Sequence, residues 1–343
     1  MTAEKAPTPE ASAATPYAGL TPDRILDALQ SIGLFGDGRL LALNSFENRV
    51  YQVGVDAAAP VVVKFYRPGR WSDAQIDEEH AFAAELAERE IPVVAPLTVH
   101  GRTLHRFAGF RFAVFPRQGG RTPELEDPAT LQWIGRFVGR MHAVGAARSY
   151  AHRPSLDIDS FGREPRDWLL AHALIPAELL APWRSIVELA LAAVEQAYER
   201  AAAGGGMPAP IRLHGDFHAG NLLWTDAGPH FVDLDDSRMG PAIQDLWMLL
   251  SGERDGMQSQ LDDLLTGYHQ FMDFDPRQLA LIEPLRTLRL LHYSAWLARR
   301  WADPAFPAAF PWFGTQRYWQ DRILELREQV ALMQEPPLSP PAA

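Results

Sequence analysis

The chain has no cysteine in its 343 residues, which removes disulfides, thiolate metal sites and thiol nucleophiles together and fits a reducing compartment. It also lacks any apolar run near the length of about eighteen residues that a membrane span needs. The first twenty residues have no basic start followed by an apolar stretch, so a cytoplasmic protein without membrane association is expected. Positive charge is in deficit: 32 Lys and Arg against 43 Asp and Glu give a formal net charge of −11, which disfavours nucleic acid or anionic lipid as a partner. There is no internal repeat. What the chain does have is core material, 47% apolar residues with ten Trp and seventeen Phe. Its length suits two lobes sharing a cleft, and a monomer is expected.

Residues 1–20 (MTAEKAPTPEASAATPYAGL) and the Pro-rich tail 336–343 bury too little apolar area to offset their ordering entropy, and both are expected to be disordered. Helical spacing over 21–34 is followed by three strand-like runs, RLLALN, RVYQVGV and PVVVKFY. An amphipathic helix over 73–89 and two further strand-like runs, PVVAPLTV and GFRFAVFP, complete the order β-β-β-α-β-β. Helical periods then dominate, at 127–144, 182–203, 244–250, 258–272 and 277–300, interrupted by IRLHG, NLLW and HFVDLDD. The pattern predicts an α+β fold: an N-terminal antiparallel β lobe with one main helix over 21–116, and a larger, mostly helical lobe over 117–335. Most of the tryptophans fall in helical stretches, where core packing is the default. FPAAFPWFG reads either as an irregular packed segment or as an exposed docking strip.

The chemistry concentrates in LHGDFHAGNLLW, residues 213–224, which sets one acid, two histidines and an amide beside an apolar strand. Asp216 and Asn221 lie five apart, and Asp233 follows at the end of the strand HFVD. Hard oxygen donors of this kind suit Mg²⁺. In phosphoryl transfer an Asp orients the acceptor hydroxyl and takes its proton, while a neighbouring Asn and a second Asp hold Mg²⁺ on the nucleotide phosphates. Asp235 and Asp236 are alternatives to Asp233 as the metal ligand. His-x-Asp-x-His can also be read as a transition-metal set, but the further His and Asp ligands that such hydrolases need do not follow.

His-Gly-Asp-x4-Asn followed by Val-Asp-Leu-Asp-Asp resembles the motif pair of the aminoglycoside phosphotransferase-like kinases. NSFENRVYQVG, VVKFYRPGRW, FAVFP, FVDLDDSRMGPAIQDLW and the late RRWADPAFP narrow the resemblance to the bacterial stress response kinase A family, from about residue 20 to residue 338. The resemblance implies a bilobal kinase-like fold, ATP with Mg²⁺ as cofactors, and phosphorylation of protein Ser/Thr hydroxyls, autophosphorylation included, in a stress response. A small-molecule kinase on the same fold and a catalytically silent scaffold are the competing expectations.

By position, the resemblance makes Asp216 the catalytic base, Asn221 and Asp233 the metal ligands, and Lys64 the strand lysine on the α- and β-phosphates. Glu79, or Glu78, is the helix carboxylate expected to hold Lys64 extended. Phe115 and Pro116 form the hinge whose backbone meets the adenine. The covering loop departs from the protein-kinase pattern: NSFEN stands where a Gly-x-Gly-x-x-Gly loop is expected. Ser45 is the expected phosphate contact there, with Asn44 and Asn48 as companions, and an ordinary hairpin turn is the plain alternative. Asp245 is expected to brace the catalytic loop, and Arg286, Arg289, Arg299 and Arg300 form a basic helical stretch that could meet an acidic or phosphorylated substrate.

Overall fold

The computed structural model describes residues 16–203 and 205–340. The chain divides into two compact units, one comprising 1–72, 97–117 and 296–313, the other 73–96, 118–295 and 314–343. This division departs from the expected break near residue 116: the main helix at 73–88 belongs to the larger unit, and a late segment carrying RWADPAFP belongs to the smaller.

In the smaller unit, helix α1 (Pro22–Gln30) starts at Thr21, whose hydroxyl accepts the Arg24 N–H, with Pro22 preset for the first turn. Strands β1 (Gly36–Ala42), β2 (Arg49–Val55) and β3 (Val61–Phe65) precede helix α2 (Asp73–Glu88), and β4 (His105–Phe107) and β5 (Phe110–Pro116) follow it. The five strands form one antiparallel sheet in the order β1-β2-β3-β5-β4. Alternation places Val61, Val63 and Phe65 of β3, with Phe110, Phe112 and Val114 of β5, in a core closed by Ile25, Ala28 and Leu29 of α1. Each large side chain buried there contributes about 1.5–3 kcal/mol. Lys64 points to the other face, in register with Val50 and Ala113.

PVVAPLTV does not form the expected strand. Pro92 and Pro96 have no N–H for a ladder, and Val93 makes only a single bridge, to Phe231. The sheet instead gains β4, joined to β5 by Ala108 and Gly109, both at positive φ (47° and 86°), a tight hairpin turn. The last residues of the N-terminal segment expected to be disordered are packed: the Tyr17 hydroxyl donates to the Glu47 carbonyl at 2.9 Å, and its ring lies under Arg49. Residues 1–15 lie outside the described residues.

The larger unit contains α2, α3 (Pro128–Ala146), α4 (Glu164–Ala171) and α5 (Ala177–Ala202). Short strands β6 (Ile211–Leu213), β7 (Leu222–Thr225), β8 (Gly228–Phe231) and β9 (Arg238–Gly240) follow, pairing as β6 with β9 and β7 with β8. Then come α6 (Gln244–Trp247), α7 (Arg254–Tyr268) and α8 (Ile282–Arg300), whose last residues pass into the smaller unit with α9 (Ala305–Ala309), and finally α10 (Gln316–Leu332). Helices α3 and α7 approach closely because each sets a glycine against the other's backbone: a Cβ on Gly135 would lie 2.0 Å from the Leu264 carbonyl oxygen, and one on Gly267 2.0 Å from that of Gln132. Trp183 of α5 packs edge-on against Trp319 of α10. The helical periods at 164–171 and 316–332 were not among the expected elements. Within FPAAFPWFG, Phe306 and Phe313 are buried and Trp312 is exposed, so the segment is mainly a packed one. The C-terminal tail is also held as far as it is described: Leu338 is buried, and Arg254 donates to the carbonyls of Pro336 and Pro337.

Candidate active site

The loop between β6 and β7 is fixed by backbone hydrogen bonds to one buried carboxylate. Asp245 at the start of α6 accepts from the N–H groups of His214 (2.7 Å) and Gly215 (2.9 Å). Its Oδ2 also lies 3.2 Å from His142 Nε2, and His142 Nδ1 lies 3.0 Å from the Tyr268 hydroxyl. Asp245 is therefore the expected brace. Ser237 donates to the Leu213 carbonyl at 2.6 Å and Gln244 to that of Gly215 at 3.2 Å, so donors meet the loop carbonyls as well. Only glycine fits at 215, where φ is 89° and a Cβ would stand 2.2 Å from the Asp236 carbonyl oxygen.

This scaffold presents Asp216. Its Oδ1 lies 2.8 Å from Arg289 Nη1 of α8, and its Oδ2 lies 3.4 Å from His218 Nε2. His218 Nδ1 accepts the Gly220 N–H at 3.0 Å, so the ring carries its hydrogen on Nε2 and turns it toward Asp216. Burial pushes the Asp216 carboxyl up, but the His218 hydrogen bond and the Arg289 charge outweigh it and hold the group at about 2. Asp216 is thus ionised throughout the neutral range. His214, by contrast, is buried and bonded through Nε2 to the Val232 carbonyl at 2.9 Å, a loop support.

Asn221 donates from Nδ2 to the Asp216 carbonyl at 2.9 Å, and its own carbonyl accepts the Val232 N–H at 3.1 Å. These two bonds bring Asp216, Asn221 and the residue preceding Asp233 together. Asp233 is exposed and held in the left-handed region at φ 63°, ψ 65°, a conformation that costs a non-glycine residue about 1–3 kcal/mol and concentrates at functional sites. The two alternatives differ from it in setting: Asp236 is committed to Arg238 at 2.7 Å, and Asp235 is buried. Among the described residues no group of three or more His, Cys, Asp or Glu could hold a metal ion unaided. An Asn and an Asp fit a Mg²⁺-like ion that takes most of its remaining ligands from phosphates and water.

On α2 the two glutamates separate. Glu78 accepts from the backbone N–H groups of Ala151 (2.6 Å), His152 (2.9 Å) and Arg153 (2.8 Å). Glu78 is thereby a loop anchor, and Glu79 is the buried one of the pair, 3.7 Å from Arg153 Nη2. Arg153 ties α2 to the segment between β8 and β9, donating to the carbonyls of Asp235 (2.8 Å), Ser237 (2.7 Å) and Gln75 (2.8 Å).

In the smaller unit Lys64 is 5% exposed on β3, its ammonium 5.5 Å from the Tyr66 ring. Phe115 stands opposite Val62 at the end of β5. Ser45 Oγ donates to the Asn48 carbonyl at 3.3 Å within the turn between β1 and β2. Asn48 is buried and its Oδ1 accepts the Arg67 N–H at 3.1 Å. The turn is held from outside by ion pairs that the sequence reading did not anticipate. Glu47 meets Arg67 (3.0 Å) and Arg300 (3.0 Å), and Asp303 meets Arg67 (2.7 Å) and Arg49 (3.2 Å). Arg300 is thereby a structural group and not part of a substrate-binding stretch.

Comparison with known proteins bears on this arrangement. The model of the "Phosphotransferase enzyme family" matches residues 39–282. The chain belongs to this phosphotransferase family. Stress response kinase A of Escherichia coli strain K12 and the serine/threonine protein kinase RdoA of Salmonella typhimurium strain LT2 are each 46% identical to it over 319 residues, covering 93% of this chain and 95% of theirs. Among solved structures, an amicoumacin kinase in complex with AMP-PNP, Ca²⁺ and Ami superposes with a TM-score of 0.69 at 18% identity, covering 93% of this chain and 96% of that one. A microcompartment-associated aminopropanol kinase gives 0.62 at 20%, covering 86% and 91%. The phosphotransferase fold, an antiparallel five-stranded sheet followed by a larger helical region, is therefore the α+β class that the patterning predicts.

The composition also sets Lys64 apart. Of its 32 basic residues only Lys5 and Lys64 are lysines. A chain that uses arginine almost everywhere keeps a lysine on β3, where a compact, strongly hydrated point charge differs from a planar fork. No helix of the described residues is long and apolar enough to cross a membrane.

Proposed function

We propose that the chain is an ATP- and Mg²⁺-dependent serine/threonine protein kinase that also phosphorylates itself. The observation that carries this reading is the setting of Asp216, an ionised carboxylate whose partner Arg289 lines a cavity in which three arginines, with Arg286 and Arg322, outnumber the two glutamates Glu325 and Glu328. An aminated small acceptor asks for the opposite, an enclosed acidic pocket. The name of the Salmonella relative supports the same acceptor class, and the nucleotide analogue and cation in the amicoumacin kinase support ATP with a divalent metal.

In this reading Lys64, with Glu79 as its carboxylate partner, grips the α- and β-phosphates, and Ser45 contacts the phosphates from the covering turn. The backbone at Phe115 meets the adenine, while Asn221 and Asp233 hold Mg²⁺, which neutralises charge on the phosphates when bound. Asp216 orients the Ser/Thr hydroxyl and takes its proton. The acceptor oxygen forms a bond to the γ-phosphorus as the bond from that phosphorus to the β,γ-bridging oxygen breaks, and ADP leaves.

The test incubates the full chain with γ-labelled ATP and Mg²⁺, alone, with a generic protein acceptor, and with amino alcohols and aminoglycosides, beside Asp216→Ala. Label on the chain or on the protein, absent from the variant, is the expected result. Label moving only to a small molecule overturns the acceptor class, and absence of any transfer overturns the enzyme.

A further inference from the structure

Asp216 has both carboxylate oxygens engaged before any acceptor arrives, Oδ1 by Arg289 and Oδ2 by His218. A carboxylate oxygen can accept more than one hydrogen bond, but Oδ1 is buried under Arg289, so an incoming hydroxyl reaches Oδ1 only when that contact gives way. The His218 ring is fixed from behind by the Gly220 N–H, within the same loop. Both partners are partly exposed, at 37% and 41%, but Arg289 reaches Asp216 from α8 on a long, many-jointed side chain, whereas the imidazole is short and tied within the loop. Arg289 is the partner whose side chain can swing away.

Arg289 also lines a cavity of about 510 Å³ formed by α6, α8 and α10 and shared with Trp247, Arg286, Tyr293, Arg322 and Glu325. Two of its arginines are tied to glutamates that stand apart from Asp216: Arg286 to Glu283 at 3.0 Å, and Arg322 to Glu325. Arg286 further lies over the Trp247 ring, 5.4 Å from its centroid. Of the three, Arg289 alone is paired with the proposed base. Glu325 and Glu328 also line the cavity, so its three guanidinium groups exceed its carboxylates by one, and an anionic group entering it meets donors that recognise carboxylate and phosphate in pairs. A cationic group meets the same charges and leaves Arg289 clamped on Asp216.

We infer that Arg289 is a specificity-determining positioning residue: the acceptor carries an anionic group beside its hydroxyl, that anion takes over Arg289, and the released Oδ1 of Asp216 accepts the hydroxyl's hydrogen bond. The inference rests on the protein-kinase reading and narrows it to Ser/Thr acceptors flanked by acidic side chains. The transfer itself is unchanged: the hydroxyl proton passes to Asp216, the acceptor oxygen bonds to the γ-phosphorus, and ADP departs.

The experiment compares two peptides identical except that the Ser is flanked by Asp and Glu in one and by Lys in the other, with the full chain and Mg²⁺–ATP. Wild type is expected to favour the acidic peptide by about tenfold in kcat/KM, equivalent to about 1.4 kcal/mol. In Arg289→Gln the preference falls to about twofold or less and Arg289→Lys restores part of it, while the KM for ATP stays unchanged in both. Calorimetric binding of a non-hydrolysable ATP analogue shows that each variant is folded. Equal use of the peptides by wild type, or a preference that survives in Arg289→Gln, overturns the inference. If no peptide is accepted but a small hydroxyl compound is, the protein-kinase reading fails separately. The same comparison is then made between carboxylated and aminated small acceptors, where preference for the aminated one overturns the role of Arg289.

Discussion

The loop at 213–221 and the turn at 44–48 are both short and both carry residues that the proposed reaction uses, yet different physics fixes them. The loop is tied by its own backbone groups to a buried carboxylate that follows some thirty residues later, through Asp245 and the N–H groups of His214 and Gly215. The turn is tied by charge to residues some 250 positions away, through Glu47 with Arg300 and Arg49 with Asp303. Backbone bonds to one rigid acceptor define position sharply, as a reacting carboxylate requires. A network of long arginines around two carboxylates holds the turn and makes it dependent on the end of α8 and the segment after it.

The largest effect expected from breaking the loop side is Asp216→Asn, which should lower kcat by about 10² to 10⁴-fold while leaving the fold intact, read by steady-state transfer beside thermal denaturation. On the turn side, Glu47→Ala takes the carboxylate from Arg300 and leaves Arg67 with Asp303 alone, which should cost about 1.5–3 kcal/mol, measured by urea unfolding. A loss below about 1 kcal/mol would mean that the ion pairs do not hold the turn. Between the two, Lys64→Arg preserves charge and changes shape. A loss of one charged hydrogen bond corresponds to about 10 to 100-fold in kcat/KM for ATP, and wild-type kinetics in this variant would remove Lys64 from the proposed nucleotide site.

The smallest effect sharpens the role of α2. Partial burial pushes the Glu78 carboxyl up, but the three N–H donors from 151–153 outweigh it and hold the group below its ordinary value of 4.5. A depressed folded value means that the stabilisation is fully present above that ordinary value and is lost as pH falls through the folded one. Glu78→Gln should cost about 1–2 kcal/mol near neutrality and flatten the acid side of the stability profile. An unchanged profile would show that the anchor is not the carboxylate.

Most of the proposed site in the larger unit was legible because its parts lie close in sequence. Asp216, Asn221 and Asp233 fall within eighteen positions of one another, and the short strands around them bring them together by local pairing. The choice between Glu78 and Glu79 was not legible. Neighbouring helical residues differ by about 100° in direction, and only the packing of 151–153 against α2 gives each its neighbours. The missed strand β4 has a similar reason: three residues across a two-residue turn carry almost no periodic signal, whereas PVVAPLTV has the composition of a strand but two prolines that cannot donate to one.

The sequence by itself determined the fold class, the family and the motif residues, since these follow from patterning and from groups close along the chain. Tertiary structure alone decided that Arg289 lies on Asp216, that Glu47 and Asp303 hold the turn without glycine, and which N–H groups the expected brace Asp245 takes. Each of these joins groups through space, and a charge or an N–H finds its partner only after the backbone has brought distant segments within a few ångströms.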